Sequence, residues 1–324
     1  MKVCVYGAGV IGGILASAIA RGGHEVSLIA RGAHLEAISR NGLTIRTKDR
    51  SEVTRHVATD DPRTLPPQDL VIVATKTPSL ADVARGIGPL LDDDTLVAFA
   101  LNGVFWFYGD GFSPNGMNLD MRRLDPDNLL HERIGARRSI GLLSINGGEI
   151  REPGIVDASA FNTRFIAGAA MQETHARADA LLQALTPADI ILERTNDIRH
   201  AMWVKYLGVA GNFATCALTG APIGTVQGEP ATQAVQLALS AEANAVAKAH
   251  GFNLPFDIEK SRANPVRSPH KPSMLQDLER GRIMEIDSAY LILQDLARQA
   301  GVPTPTLDVV APLLALRARM SGCA

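Results

Sequence analysis

An α/β protein in two parts, a doubly wound sheet followed by an all-helical region, is predicted by three observations. The chain opens with an apolar run that breaks into glycines at the spacing G-x-G-x-x-G, on Gly7, Gly9 and Gly12. Further apolar runs of strand length alternate with helical patterns, and two of them end in polar residues, Lys76 and Asn102. From Asp197 onward the glycine-bounded strands vanish and helical periodicity dominates. Strands alternating with helices indicate a largely parallel sheet covered on both faces.

Val3, Val5 and Tyr6 favour an extended strand, and Val10, Ile11, Ile14, Leu15, Ala18 and Ile19 recur at helical spacing until Gly22 and Gly23 stop the run. The glycines therefore sit at a strand-to-helix turn. Gly7 permits the tight turn, and Gly12 lets the helix pack on the strand. Gly9 lets a pyrophosphate approach the backbone beside Val10 and Ile11, at the helix's positive N-terminal end. Such glycines also serve as plain loop punctuation; their place after a strand and at the head of a helix selects the Rossmann-type reading.

Residues 24–30 read as the second strand. About 20 residues past the glycines, a dinucleotide-binding chain carries an acid for the ribose hydroxyls of NAD or a base for a 2′-phosphate. Arg31 stands there, and a guanidinium grips phosphate bidentately where a carboxylate would repel it. NADP(H) is the expected cofactor; the competing reading is that Arg31 only caps a strand end at the surface.

A polar helix with Leu35 and Ile38 leads to a short strand, residues 42–46, with 53–58 as its hairpin mate. Residues 70–75 form a continuous apolar run, the mark of a parallel strand buried on both faces. It ends at Lys76, where the carboxyl ends of such strands line a ligand crevice. Residues 81–91 read as a helix and 95–100 as another buried strand, with Asn102 and Gly103 at its carboxyl end. The plainer alternative makes Lys76 a solvated loop lysine and Asn102-Gly103 a simple turn. Val104, Phe105, Trp106, Phe107 and Tyr108 then concentrate large side chains beside that edge, either as a lid or wall over a substrate cleft or as packing against the second domain. Strands at 139–145, 164–167 and 190–192, a hairpin-like stretch at 147–156 and a helix at 174–185 complete the first part. Helices are expected at 198–217, 231–249, 274–300 and 307–320, with the domain boundary near Arg194: residues 1–194 bind dinucleotide and 195–324 form the helical substrate domain.

At 324 residues with 46% hydrophobic and 20% charged content, the composition is that of a globular protein with room for two cores. A formal net charge of −2 excludes the generally basic surface that nucleic acid requires, so the expected partner is a small molecule. No apolar run reaches membrane-spanning length, and a strand starting at Lys2 leaves no room for a signal peptide. Cys4, Cys216 and Cys323 have neither disulfide nor metal spacing, so a cytoplasmic location and no metal are expected. Cys4 reads as strand core and Cys323 as a frayed terminus. His131, His200 and His250 are isolated and read as surface residues rather than ligands. The long final helices offer a surface for a homodimer.

Carbonyl reduction needs a hydride donor, a general acid and a hold on the substrate. Lys205 lies among apolar and aromatic neighbours, Trp203, Val204, Tyr206 and Leu207. Burial there would lower its pKa and suit it to proton donation near neutrality; alone, it reads equally as a lysine snorkelling to solvent from an amphipathic helix.

Taken together, the motifs resemble the ketopantoate reductase family (2-dehydropantoate 2-reductases) over nearly the whole chain. They are Gly7, Gly9, Gly12, Arg31, Lys76, Asn102-Gly103, Trp203-x-Lys205, the A-L-T ending at Thr219, S-M-x-Q-D from Ser273 to Asp277, and E-I-D from Glu285 to Asp287. The resemblance implies NADPH-dependent reduction of a 2-oxo acid, with Lys205 as general acid and Glu285 placing substrate and lysine. It also implies that Ser273 meets the substrate carboxylate and that Lys76 and Asn102 meet the cofactor. A cation beside a developing alkoxide stabilises it.

The departures concern the substrate. Two asparagines that the family carries one and two turns past the lysine fall on Val209 and Phe213. Asn212 lies one residue off the second and replaces it only if the helix shifts or bulges. A third asparagine, before Met274, is replaced by His270 with Lys271 beside it. Val and Phe in place of amides favour a more apolar substrate body than ketopantoate, and the aromatic stretch 105–108 points the same way. The competing functions are a dehydrogenase oxidising another hydroxy acid and a non-catalytic NADP(H) sensor; Lys205 and Glu285 together argue against the sensor, which needs neither.

Overall fold

The opening apolar run forms β1 (Lys2–Tyr6), in which Val3, Cys4 and Val5 are fully buried. It leads through the glycine turn to α1 (Val10–Arg21), β2 (Glu25–Ile29) and α2 (Gly32–Asn41). There follow β3 (Leu43–Arg46), β4 (Ser51–Thr54), β5 (Val57–Thr59), β6 (Leu70–Val73), α3 (Leu80–Gly86) and β7 (Leu96–Ala100). Beyond an excursion to residue 124 come α4 (Leu129–Arg133), β8 (Ser139–Ser144), β9 (Gly148–Glu152), β10 (Ile155–Ala158), β11 (Thr163–Ala169), α5 (His175–Ala184) and β12 (Ile190–Arg194). This computed structural model describes residues 1–145, 147–160 and 163–324.

The main sheet has the order β12-β11-β8-β7-β6-β1-β2-β5. Its six strands from β5 to β8 are parallel. Numbered by their appearance in this sheet they read 3-2-1-4-5-6, the doubly wound dinucleotide-binding order. β11 adds antiparallel to β8, and β12 parallel to β11. A second sheet, β4-β3-β10-β9, lies against α1. Its approach is close: a β-carbon on Gly13 would stand 2.9 Å from Cγ2 of Val156.

Residues 53–58, expected as one hairpin strand, divide between the two sheets. β4 pairs antiparallel with β3, whereas β5 pairs in parallel with β2 at the edge of the main sheet. His56 sits between them; its Nε2 lies 2.7 Å from the Thr54 hydroxyl and its Nδ1 3.3 Å from the Val26 carbonyl. An apolar alternation carries no mark of where a strand changes partner.

The chain forms two compact units, residues 1–101 with 125–198, and residues 102–124 with 199–324. The second contains α6 (Ile198–Thr219), α7 (Ile223–Gly228), α8 (Pro230–Ala249), α9 (Ile258–Ala263) and α10 (Ser273–Glu279). A single π turn, Asp287–Leu291, then runs into α11 (Ile292–Gln299), and α12 (Pro305–Met320) ends the chain. The helix expected over 274–300 is therefore two helices. Gly281, at φ +62°, breaks it, and residues 282–285 are extended or irregular.

The aromatic stretch is core of this second unit. Phe105, Trp106, Phe107 and Tyr108 are at most 1% exposed. The Tyr108 hydroxyl accepts the indole N–H of Trp203 at 3.0 Å and faces Nδ1 of His250 at 2.8 Å. Arg199 donates from Nε to the Tyr108 carbonyl at 2.8 Å, fastening the stretch to α6. His250, expected at the surface, is 2% exposed, and burial lowers its pKa. Cys323 is fully buried rather than frayed; its carbonyl accepts the Met284 N–H at 2.8 Å. No helix is long and apolar enough to cross a membrane, and no group of metal-ligating side chains occurs, among the described residues.

Candidate active site

In the first unit the site is the glycine turn. Gly7 has φ +106°, and a β-carbon there would press on Thr75 Cγ2 at 2.9 Å. One on Gly12 would stand 2.0 Å from the Gly7 carbonyl oxygen, whereas at Gly9 nothing lies within 4 Å. The turn is thus closed on its sheet side and open at Gly9. Gly9 is the N-cap of α1, with no side-chain cap and no acidic residue in the first turn. The amides of Val10, Ile11 and Gly12 are therefore the unsatisfied donors of a helix N-terminus. That donor set fits a dinucleotide pyrophosphate.

His34, which sequence reasoning passed over, secures this turn. Its Nδ1 accepts the Gly154 N–H at 2.9 Å, so Nε2 carries the proton and donates to the Ala8 carbonyl at 2.6 Å. A lone histidine on a polar helix gives no sign of this in the sequence. Arg31 is exposed at the head of α2, and its positive charge near Tyr6 partly offsets the rise that burial gives that phenol's pKa. Lys76 follows β6, half-buried, and opens a 3-10 turn at Thr77–Ser79.

In the second unit the site is built around Lys205 on α6. Its ammonium donates to Oδ1 of Asn102 at 2.8 Å. Burial pushes its pKa down to about 8, and the nearby Glu285 carboxylate opposes that shift. Glu285 is 9% exposed and directly precedes the helical segment that contains the π turn. The Asn102-Gly103 turn is held tightly. Gly103 has φ +84°, its β-carbon would lie 2.2 Å from the Ser288 carbonyl oxygen, and Val104 N–H donates to that oxygen at 2.9 Å. An ammonium with a pKa near 8, oriented by an amide oxygen and a carboxylate, can hold and release a proton near neutral pH.

The other expected substrate residues are placed as follows. Ser273 is the first residue of α10 and is half-buried. His270 and Lys271 are exposed; the Lys271 ammonium pairs with Glu279 at 2.6 Å, and the His270 carbonyl accepts the Ile223 N–H at 3.0 Å. Asn212 donates to the Gly208 carbonyl at 2.9 Å and accepts from Gln227 at 3.1 Å. Val209 is 5% exposed. Helix α6 runs unbroken from Ile198 to Thr219, without the shift or bulge that Asn212 would need, and the Ala214 N–H meets the Tyr290 hydroxyl at 2.6 Å.

A doubly wound dinucleotide unit and a helical unit with a half-buried, carboxylate-assisted lysine define an oxidoreductase of the two-domain dehydrogenase type. Residues 3–105 match the family model "Ketopantoate reductase PanE/ApbA", and residues 197–318 match "Ketopantoate reductase PanE/ApbA C terminal". A 2-dehydropantoate 2-reductase of Mesorhizobium japonicum is 35% identical over 326 aligned residues, covering 100% of this chain and 99% of that one. A solved structure from Ralstonia solanacearum MolK2, provisionally assigned as a ketopantoate reductase, superposes with a TM-score of 0.90 at 30% identity, covering 100% of this chain and 99% of that one. D-mandelate dehydrogenase with NADH and anilino(oxo)acetate shares the fold, with a TM-score of 0.84 at 18% identity and full coverage of both chains. The chain belongs to the ketopantoate reductase family, oxidoreductases acting on CH–OH groups.

Proposed function

We propose that the protein reduces the carbonyl of a 2-oxo acid to the 2-hydroxy acid with NADPH as hydride donor. The observation that carries this reading is the Lys205 ammonium, bonded to Asn102 at 2.8 Å and poised at a pKa of about 8 beside Glu285. The reduced nicotinamide, when bound, supplies the hydride. Lys205 gives its proton to the carbonyl oxygen as charge develops there, while Asn102 orients the ammonium and Glu285 keeps it charged. In this reading Ser273 receives the substrate carboxylate, and Gly7, Gly9, Val10, Ile11, Gly12 and Lys76 hold the cofactor; Asn102, also expected to meet the cofactor, does so through its amide nitrogen, its Oδ1 being taken by Lys205. The mandelate dehydrogenase of like fold was solved with NADH, so the preference for NADPH rests on Arg31 and its affinity for a 2′-phosphate.

The substrate is ketopantoate or a related branched or bulkier 2-oxo acid. The aromatic stretch 105–108 lends no support to an apolar substrate, because its rings are core. That argument rests on Val209 and Phe213, with the Asn212 amide already bonded to Gly208 and Gln227. A missing hydrogen bond in a buried site costs about 1–3 kcal/mol. A 2-oxo acid without ketopantoate's terminal hydroxyl is therefore expected to show a kcat/KM equal to or above that of ketopantoate. A panel of 2-oxo acids with NADPH, followed by loss of nicotinamide absorbance, tests both statements. Strong preference for ketopantoate would mean that Asn212, His270 or Lys271 supplies the contact, and no turnover of any 2-oxo acid would overturn the activity.

A further inference from the structure

The three residues Ser288, Ala289 and Tyr290 each bind a different part of the Lys205 site. In an α-helix the Ile292 N–H would take the Ser288 carbonyl; in the π turn it goes to Asp287 instead. The released Ser288 oxygen accepts Val104 N–H at 2.9 Å and so anchors the turn that carries Asn102. The Ala289 carbonyl accepts the hydroxyl of Tyr206, the neighbour of Lys205. The Tyr290 hydroxyl enters α6 itself. It accepts the Ala214 N–H at 2.6 Å and faces the Val209 and Ala210 carbonyls at 3.1 Å each. Glu285 lies in the same chain segment, just before the turn.

We propose that the π turn Asp287–Leu291 is a jig that sets Asn102, Lys205 and Glu285 relative to one another, and that Tyr206 and Tyr290 are positioning residues for Lys205. A plain core tyrosine would need one partner for its hydroxyl. Tyr290 instead serves three backbone groups of α6, on Val209, Ala210 and Ala214 past Lys205, and Tyr206 returns a bond to the same π turn from the other side. Burial raises the pKa of both phenols, so they remain neutral and act as fixed dipoles. Glu285 is the charged group that acts on Lys205; Cys216 and Tyr206 are the titratable groups facing Tyr290. Loosening the jig admits water to the ammonium, which removes the cause of its lowered pKa.

The test deepens the reading of Lys205 as general acid and is built to fail separately from it. Acylation of Lys205 by an amine-reactive reagent, quantified by mass spectrometry across pH on the full-length protein, reports its titration without any substrate. Tyr290→Phe and Tyr206→Phe remove only the hydroxyls, and Tyr206→Phe carries the test should Tyr290→Phe not fold. The expected result is a labelling midpoint raised by about one pH unit or more, and a kcat lowered roughly tenfold or more, with NADPH affinity within about twofold of the parent. Unchanged labelling midpoints and kcat in both variants, or a lower Tm with an unchanged midpoint, overturn the jig. Shifted midpoints in the variants of a parent protein that reduces no 2-oxo acid leave the jig standing and remove the proposed activity.

Discussion

A β-carbon on residue 12 would stand 2.0 Å from the carbonyl oxygen of Gly7, while one on residue 9 meets nothing within 4 Å. The two glycines are therefore required for different reasons. Gly12→Ala forces the helix off the strand and is expected to destabilise the protein in urea unfolding by more than the roughly 1 kcal/mol typical of a point mutation. Gly9→Ala is expected to keep the parent's unfolding midpoint and to lower dinucleotide affinity about tenfold or more, because its methyl takes the space that the pyrophosphate needs. Unimpaired NADPH binding by Gly9→Ala would remove the turn from the cofactor site.

Cofactor choice rests on Arg31. NADPH is expected to bind about tenfold or more tightly than NADH, on the order of 1.4 kcal/mol, and Arg31→Ala to erase most of that difference. Isothermal titration of the parent with both cofactors decides it; equal affinities refute the assignment.

Proton donation rests on Lys205. Lys205→Ala is expected to lower kcat by about 10²–10⁴-fold with NADPH affinity nearly unchanged. Glu285→Ala is expected to lower kcat and raise the substrate KM together, since it places both substrate and lysine. The acid must be protonated, so the parent's kcat is expected to hold below its pKa of about 8 and to fall above it. Stopped-flow and steady-state rates across pH measure this, and variants within threefold of the parent would leave Lys205 with no part in the reaction.

Keeping that ammonium partly out of water weakens the fold. The folded pKa of Lys205 is lowered to about 8 from the usual lysine value, so between those two values the unfolded chain binds the extra proton. Stability is then expected to rise with pH through that window, at up to about 1.4 kcal/mol per pH unit, and to be lowest below it, where both states are charged. Lys205→Met removes the penalty and is expected to unfold at higher urea than the parent at neutral pH, with the gap closing in alkali. A parent advantage at neutral pH would show that the contacts with Asn102 and Glu285 outweigh desolvation.

The legible parts of the sequence were those fixed by local chemistry. The runs of β6 and β7, and of β1 after Lys2, are apolar because both faces are covered, and the glycine spacing encodes a turn whose geometry admits no other residue at positions 7 and 12. What hid was mostly set by distant partners. The break at Gly281 is a local left-handed helix stop masked by the periodicity around it, whereas the change of sheet at His56 and the joining of residues 102–124 to the helical unit follow from contacts made far along the chain. The π turn hid for the same reason, since its benefit lies in Val104 and α6 rather than in its own sequence.

The interleaving of the two units also has a consequence for synthesis. Tyr108 precedes its partner Trp203 by 95 residues, and four aromatic side chains destined for full burial leave the ribosome together. At about 5–20 residues per second, that interval lasts roughly 5–20 s. During it the first unit is itself unfinished, because β8, β11 and β12 follow the excursion. The nascent chain therefore carries a sticky segment that neither unit can yet shelter, and its burden on chaperones is written into the order in which its pieces are made.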